Sequence, residues 1–79
     1  MNVTLVCFGR LKDHLPPGGS RNRISVEVPE GADVATAAGA IGARQRDLFA
    51  VLVNGERCDA RKVLREGDEV TLMPPFSGG

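Results

Sequence analysis

Asp33-Val34-Ala35-Thr36-Ala37-Ala38-Gly39-Ala40-Ile41-Gly42 is the stretch whose spacing reads as a substantial helix, and its position between strands decides the fold. Val34, Ala37, Ala38 and Ile41 stand at i, i+3, i+4 and i+7, so they line one face. Asp33 is a good N-cap residue and Gly42 a natural C-terminal stop. The side chains are small and Gly39 lies inside the run, so intrinsic helix stability is low and packing must supply the rest.

What flanks the helix reads as strand. Upstream, Val3-Thr4-Leu5-Val6-Cys7-Phe8 is rich in β-branched and aromatic residues and stops at Gly9; its near-continuous apolarity predicts a central strand. Arg10 to Leu15 fits one short helical turn, and Pro16-Pro17-Gly18-Gly19-Ser20 reads as loop. Ile24, Val26 and Val28 then alternate with Arg23, Ser25 and Glu27, the period of a sheet with one wet face, and Pro29 ends the run. Downstream, Phe49-Ala50-Val51-Leu52-Val53 predicts a third strand, Asn54-Gly55 a tight hairpin turn, and Glu56-Arg57-Cys58 the return. Gly67-Asp68 turns the chain into Glu69-Val70-Thr71-Leu72-Met73, closed by Pro74-Pro75. The order strand, strand, helix, strand, short return, strand asks for an α+β layer pair. Connection rules favour a mixed sheet of four to five strands on one main helix, with a right-handed crossover.

Composition narrows the function. At 79 residues the chain makes one small domain, which buries only about 60–65% of its unfolded surface and leaves little room for an internal active site. Ten basic and ten acidic residues balance, so no electrostatic footprint for nucleic acid or an anionic membrane is expected. The first apolar run is too short for a span or a signal segment, and a cytoplasmic location follows as the expectation. Cys7 and Cys58 have no CxxC spacing and no histidine pair beside them, so they read as unpaired thiols rather than metal ligands. His14 has no partner at useful spacing and reads as a surface residue. Gly9, Gly18 and Gly19 form no phosphate loop, and the arginines at 21, 23, 44 and 46 read as solvated edges. With no paired carboxylates and no nucleophile beside a base, catalysis by this chain alone is not expected.

The ending Pro74-Pro75-Phe76-Ser77-Gly78-Gly79 is the functional candidate. A terminal Gly-Gly arises by chance at roughly 0.5%, and it offers an unhindered carboxylate on a backbone that can enter a narrow channel. Residues 1–75 are therefore expected to form the domain and 76–79 a flexible tail. Pro74-Pro75 hold the lead-in extended. Phe76 is the expected anchor in a partner, because aromatic residues concentrate at interface centres.

These features together resemble the MoaD/ThiS family of ubiquitin-like, β-grasp sulfur carriers, nearest its molybdopterin-synthase small-subunit branch. The resemblance spans nearly the whole chain. It is carried by the opening strand into Phe8-Gly9, by Val53-Asn54-Gly55, by Leu64-Arg65-Glu66-Gly67-Asp68-Glu69-Val70, and most specifically by the ending. The chain departs from the family pattern at Lys12-Asp13, where an Arg-Glu pair is frequent, in a leucine-poor helix, and at Phe76, where a smaller aliphatic residue is common. The resemblance implies that a ubiquitin-activating-like adenylyltransferase, consuming ATP, adenylates the Gly79 carboxylate. A sulfur donor, a sulfurtransferase or cysteine desulfurase, then converts it to a thiocarboxylate. No stably bound cofactor and no metal are implied. Gly78 would precede the reacting centre, while Pro75, Phe76 and Ser77 would meet the large subunit of molybdopterin synthase, where the sulfur enters the dithiolene. Three other readings use the same residues: a carrier for another pathway (thiamin, cysteine or a thiolated metabolite), a ubiquitin-like modifier joined through Gly79 to a lysine, and a plain interaction module.

Overall fold

The apolar run near the start of the chain becomes an interior strand, as its composition predicts. In a computed structural model that describes residues 1–15 and 22–75, β1 (Asn2–Cys7) pairs antiparallel with β2 (Arg23–Glu27). β3 (Ala50–Val53) and β4 (Glu56–Cys58) form the predicted hairpin. β5 (Glu69–Met73) inserts between them, parallel to β1 and antiparallel to β3, giving a mixed five-stranded sheet in the order β2-β1-β5-β3-β4. This α+β mixed sheet with one α-helix is the β-grasp arrangement expected from the sequence. Arg10 to Leu15, read as a helical turn, forms most of a 3-10 turn over Gly9–His14.

The parallel register sets Leu5 beside Val70 and Cys7 beside Leu72, and none of the four has measurable exposure. Val51 and Val53 of β3, Leu11, Leu64 and the helix residues Val34, Ala37 and Ala38 close the core over them. A six-residue helix is only about 9 Å long, whereas four inter-strand steps make a sheet about 19 Å wide. The edge strand β2 is accordingly only half covered, with Ile24 and Val26 half-buried while Arg23, Ser25 and Glu27 face water.

The helix, α1 (Val34–Gly39), ends earlier than the apolar spacing to Ile41 suggests. The reason lies in its last turn, where Ile41 and Gly42 donate to the carbonyls of Ala38 and Gly39, three residues back. Ala43 then reaches back to Ala38, and Gly42 takes φ 83°. That is a Schellman termination, with Gly42 as the left-handed residue and the buried Ala38 and Ala43 as its apolar contact. At the other end Asp33 Oδ1 accepts from the Thr36 N–H and the Thr36 hydroxyl, each at 2.8 Å.

Those two bonds, the backbone one first, hold the Asp33 carboxyl below the usual aspartate range. Losing the cap through Asp33→Ala is expected to cost about 1 kcal/mol, or about 4–8 °C in Tm for a domain of this size. Because folding depresses this pKa, the stabilisation is full above the unfolded value near about 4 and is lost as pH falls through the folded value. Thermal unfolding of wild type and variant should therefore differ at neutral pH and converge in acid.

The β3–β4 turn is Asn54 (φ 52°) followed by Gly55 (φ 85°), the left-handed pair of a two-residue hairpin. Asn54 does more than turn. Its Nδ2 donates to Asp68 Oδ1 at 2.9 Å and its Oδ1 accepts from the Glu69 N–H at 2.9 Å, while Asp68 Oδ2 accepts from the Arg65 N–H at 2.8 Å. The hairpin turn and the turn entering β5 are thus fastened together at one end of the sheet.

Candidate functional site

The expected tail residues Phe76, Ser77, Gly78 and Gly79 lie outside the described residues. The structure places the point from which they start. β5 is the middle strand of five, and its final pairings are the Phe8 N–H donating to Leu72 O at 3.1 Å and the Phe49 N–H donating to Met73 O at 2.7 Å. Pro74 has no N–H to continue the ladder. On the β1 side Gly9 turns away with φ 56°. Pro74 is half-buried and Pro75 exposed, so the chain leaves the sheet from a strand paired on both sides.

Beside that exit lies the sheet face turned away from the core. Side chains alternate along each strand, and the registers set Val6 and Leu52 on either side of Thr71, with Ala50 next to Met73. Phe8, one step beyond β1, is 43% exposed and Met73 36%. Arg57, paired with Leu52, lies with its guanidinium 5.8 Å from the ring centre of Phe49, itself 66% exposed. At the far end an Arg23–Glu69 ion pair at 2.9 Å borders the face. The result is an apolar strip with charged margins, adjoining the tail exit, of the kind that marks a protein contact.

Other sequence candidates are structural. Cys7 is buried and Cys58 half-buried, both free. Desolvation pushes both thiols up, with Asp59 adding to the rise at Cys58, which leaves less of the nucleophilic thiolate at neutral pH. His14 Nδ1 donates to Ile41 O at 3.0 Å and ties the first 3-10 turn to the end of the helix. Arg44 precedes and Arg46 lies within a second 3-10 turn, Gln45–Asp47, in which Asp47 Oδ2 accepts from the Arg44 N–H at 2.8 Å; this turn is not predicted from the sequence. An open groove of about 430 Å³ involves Asn54, Arg57, Lys62 and Asp68. The antiparallel β3–β5 register puts its Val53 and Asp68 end at the opposite end of the sheet from Met73. A second groove of about 340 Å³, with Leu48, Phe49 and Ala50 in its wall, adjoins the exit. Among the described residues no cluster of His, Cys, Asp and Glu could hold a metal ion, and no helix is long and apolar enough to cross a membrane.

Two contributors escaped the sequence reading. Gly9 reads in the sequence as a strand stop and a family-like position but not as a contact for Pro74, and the open face is not identified there. The signal for the face was present: Phe49 to Val53 is apolar at every position, and a strand with a helix on one side only needs one apolar face.

A family model described as the ThiS family matches residues 10–79. Among solved structures, SAMP1 from Haloferax volcanii is 29% identical with a TM-score of 0.72, and the match covers 100% of both chains. A Pyrococcus furiosus protein described as molybdopterin converting factor subunit 1 is 25% identical with a TM-score of 0.68, covering 95% of this chain and 98% of that one. A complex of subunits 1 and 2 of molybdopterin-converting factor from Helicobacter pylori matches over 100% of both chains at 20% identity and a TM-score of 0.63, a likeness of fold alone. A search of curated proteins finds no match.

Proposed function

The chain belongs to the ThiS family, and from that premise we propose that it is a sulfur carrier acting through a Gly79 carboxylate, as the small subunit of a molybdopterin synthase. The observation that carries this reading is the exit of the central strand through Pro74-Pro75 beside an exposed apolar face containing Phe8 and Met73. Residues 1–75 serve as the body that docks, and 76–79 as the segment delivered to the partner, with Pro75, Phe76 and Ser77 in contact and Gly78 giving the slender approach.

The chemistry needs no catalytic group from this chain. A carboxylate oxygen of Gly79 attacks the α-phosphorus of ATP in an adenylyltransferase and pyrophosphate leaves. The terminal sulfur of a persulfide on a sulfurtransferase or cysteine desulfurase then attacks the acyl carbon and AMP leaves. A second thiol cleaves the resulting acyl disulfide, forming a disulfide with the donor's sulfur and releasing the thiocarboxylate. Adenylation replaces a poor leaving group with a good one and divides one hard step into two easier ones. The thiocarboxylate, ionised at neutral pH, is the nucleophile presented in the large subunit's pocket. These are cytoplasmic reactions in this reading.

The likeness to the Pyrococcus protein supports the molybdopterin assignment within the family. The likeness to the small archaeal modifier protein at 29% identity favours a second reading, in which the same acyl adenylate ends as an isopeptide bond to a lysine. Intact mass spectrometry after incubation with ATP, an adenylyltransferase and a sulfur donor separates the two. Replacement of one terminal oxygen by sulfur is the expected result. High-mass conjugates that survive reductant, with no thiocarboxylate formed, would move the assignment to the modifier.

A further inference from the structure

Gly9 differs from the other described glycines of positive φ. A Cβ built on Gly31, Gly55 or Gly67 has nothing within 4 Å, so conformation alone accounts for them. At Gly9 the same atom would lie 2.8 Å from Pro74 Cγ and 3.6 Å from Pro74 Cδ, the first closer than real Cβ contacts come. The positive φ of 56° already disfavours a side chain there, as at the other three. Among the described glycines, Gly9 alone adds a contact under 3 Å.

We propose that Gly9 is a positioning residue for the C-terminal segment: its missing side chain is the seat on which the Pro74 ring rests, and this seat fixes the direction in which the chain leaves the sheet. Proline's locked φ keeps the ring from rotating away from its own backbone, so beyond a change of pucker at Cγ the clash is relieved only by moving Pro74 itself. Immediately before it, Leu72 O and Met73 O are held by the Phe8 and Phe49 amides on either side. A Cβ at residue 9 therefore displaces Pro74 and whatever follows it. Displacing Pro74 moves the point from which the residues past Pro75 start. Misplacement of a reacting group by about 1 Å can lower a rate on the order of a hundredfold. The consequence for adenylation rests on the sulfur-carrier reading; the steering itself does not.

Gly9→Ala, Gly31→Ala, Pro74→Ala and the Gly9→Ala/Pro74→Ala double variant test this. Gly31→Ala imposes a left-handed alanine with no neighbour, and Pro74→Ala removes the two ring carbons that the new Cβ would meet. In Gly9→Ala, residual dipolar couplings of the Phe76 and Ser77 amides should change, while in Gly31→Ala they stay as in wild type. Pyrophosphate exchange, with an activating enzyme that adenylates the wild-type chain, should lose about 10- to 100-fold in kcat/KM for Gly9→Ala. In the Pro74→Ala background the same substitution should cost less than about threefold, the coupling that a direct contact predicts. Unchanged couplings in Gly9→Ala, or losses in Gly9→Ala and Gly31→Ala that match at equal stability, would overturn the proposal. If no enzyme adenylates the wild type, the sulfur-carrier reading fails, and the dipolar couplings still decide the role of Gly9.

Discussion

Deleting Gly79 is expected to abolish adenylation of the chain while leaving its Tm unchanged. The shortened chain still ends in a glycine carboxylate, so its intrinsic chemistry is the same. What changes is reach: the carboxylate falls one residue, about 3.3–3.6 Å, short of its place. Because reacting atoms must come within about 3–3.5 Å in line, and a shift of about 1 Å already lowers rates up to about 100-fold, the loss in pyrophosphate exchange should exceed about 100-fold. Among the described residues the core and sheet end at Met73, so the deletion is expected to leave the fold intact. Calorimetry should place the deletion variant within about 0.5 kcal/mol of wild type. Retention of full exchange activity would remove Gly79 from the mechanism and leave the chain an interaction module with an incidental ending.

That separation of chemistry from stability follows from where the exit is placed. An edge strand such as β4 has a neighbour on one side only and would fray with its own terminus; β5 has hydrogen-bonded neighbours on both sides. The last paired carbonyls, Leu72 and Met73, are each held by an amide of an adjoining segment. In the sulfur-carrier reading proposed above, a segment handed between an adenylating enzyme and a sulfur-accepting partner would keep a fixed origin this way, and the apolar strip of Phe8, Leu52 and Met73 beside it would give both partners the same surface to grip.

The elements were legible because their local signals agree with the fold. Asp33 caps, Gly42 terminates, Asn54-Gly55 turns, and the interior position of β1 follows from a run, Val3 to Phe8, whose single polar residue is Thr4. Motifs that read as family markers prove to be fastenings: Asn54 and the Gly67-Asp68-Glu69 turn co-occur because the amide of one hydrogen-bonds the other. What stayed illegible depends on contacts between distant residues. Gly9 and Pro74 are far apart in sequence and meet only through the parallel β1–β5 pairing, and no local pattern reports a missing Cβ. The open face was hidden for a different reason, since apolar residues on both sides of a strand look the same in sequence as a strand buried on both sides. The helix end was misjudged because Ile41 continues the apolar spacing after the backbone has already tightened toward Gly42.

Leu72→Ala should have the largest effect on the fold itself. Leu72 lies on the central strand with no exposed surface, paired to Cys7 on one side and Val51 on the other. Truncating a fully buried leucine costs about 2–5 kcal/mol, the upper end where surrounding atoms cannot collapse into the space. Collapse is hindered here because the neighbours are short side chains on paired strands and a small helix of alanines. At about 0.05–0.15 kcal/mol per residue, a chain of this length has roughly 4–12 kcal/mol in all, so the substitution removes a large part of it. Urea unfolding should show a midpoint reduced by a third or more with an unchanged slope, whereas Val63→Ala, at a side chain 57% exposed, should stay within about 0.5 kcal/mol of wild type. Adenylation should fall in Leu72→Ala in proportion to the unfolded fraction and recover on cooling or with a stabilising osmolyte. The Gly79 deletion should recover under neither. A Leu72→Ala protein as stable as wild type would mean that the sheet and α1 do not share one core, and that β5 is not what holds the tail's origin in place.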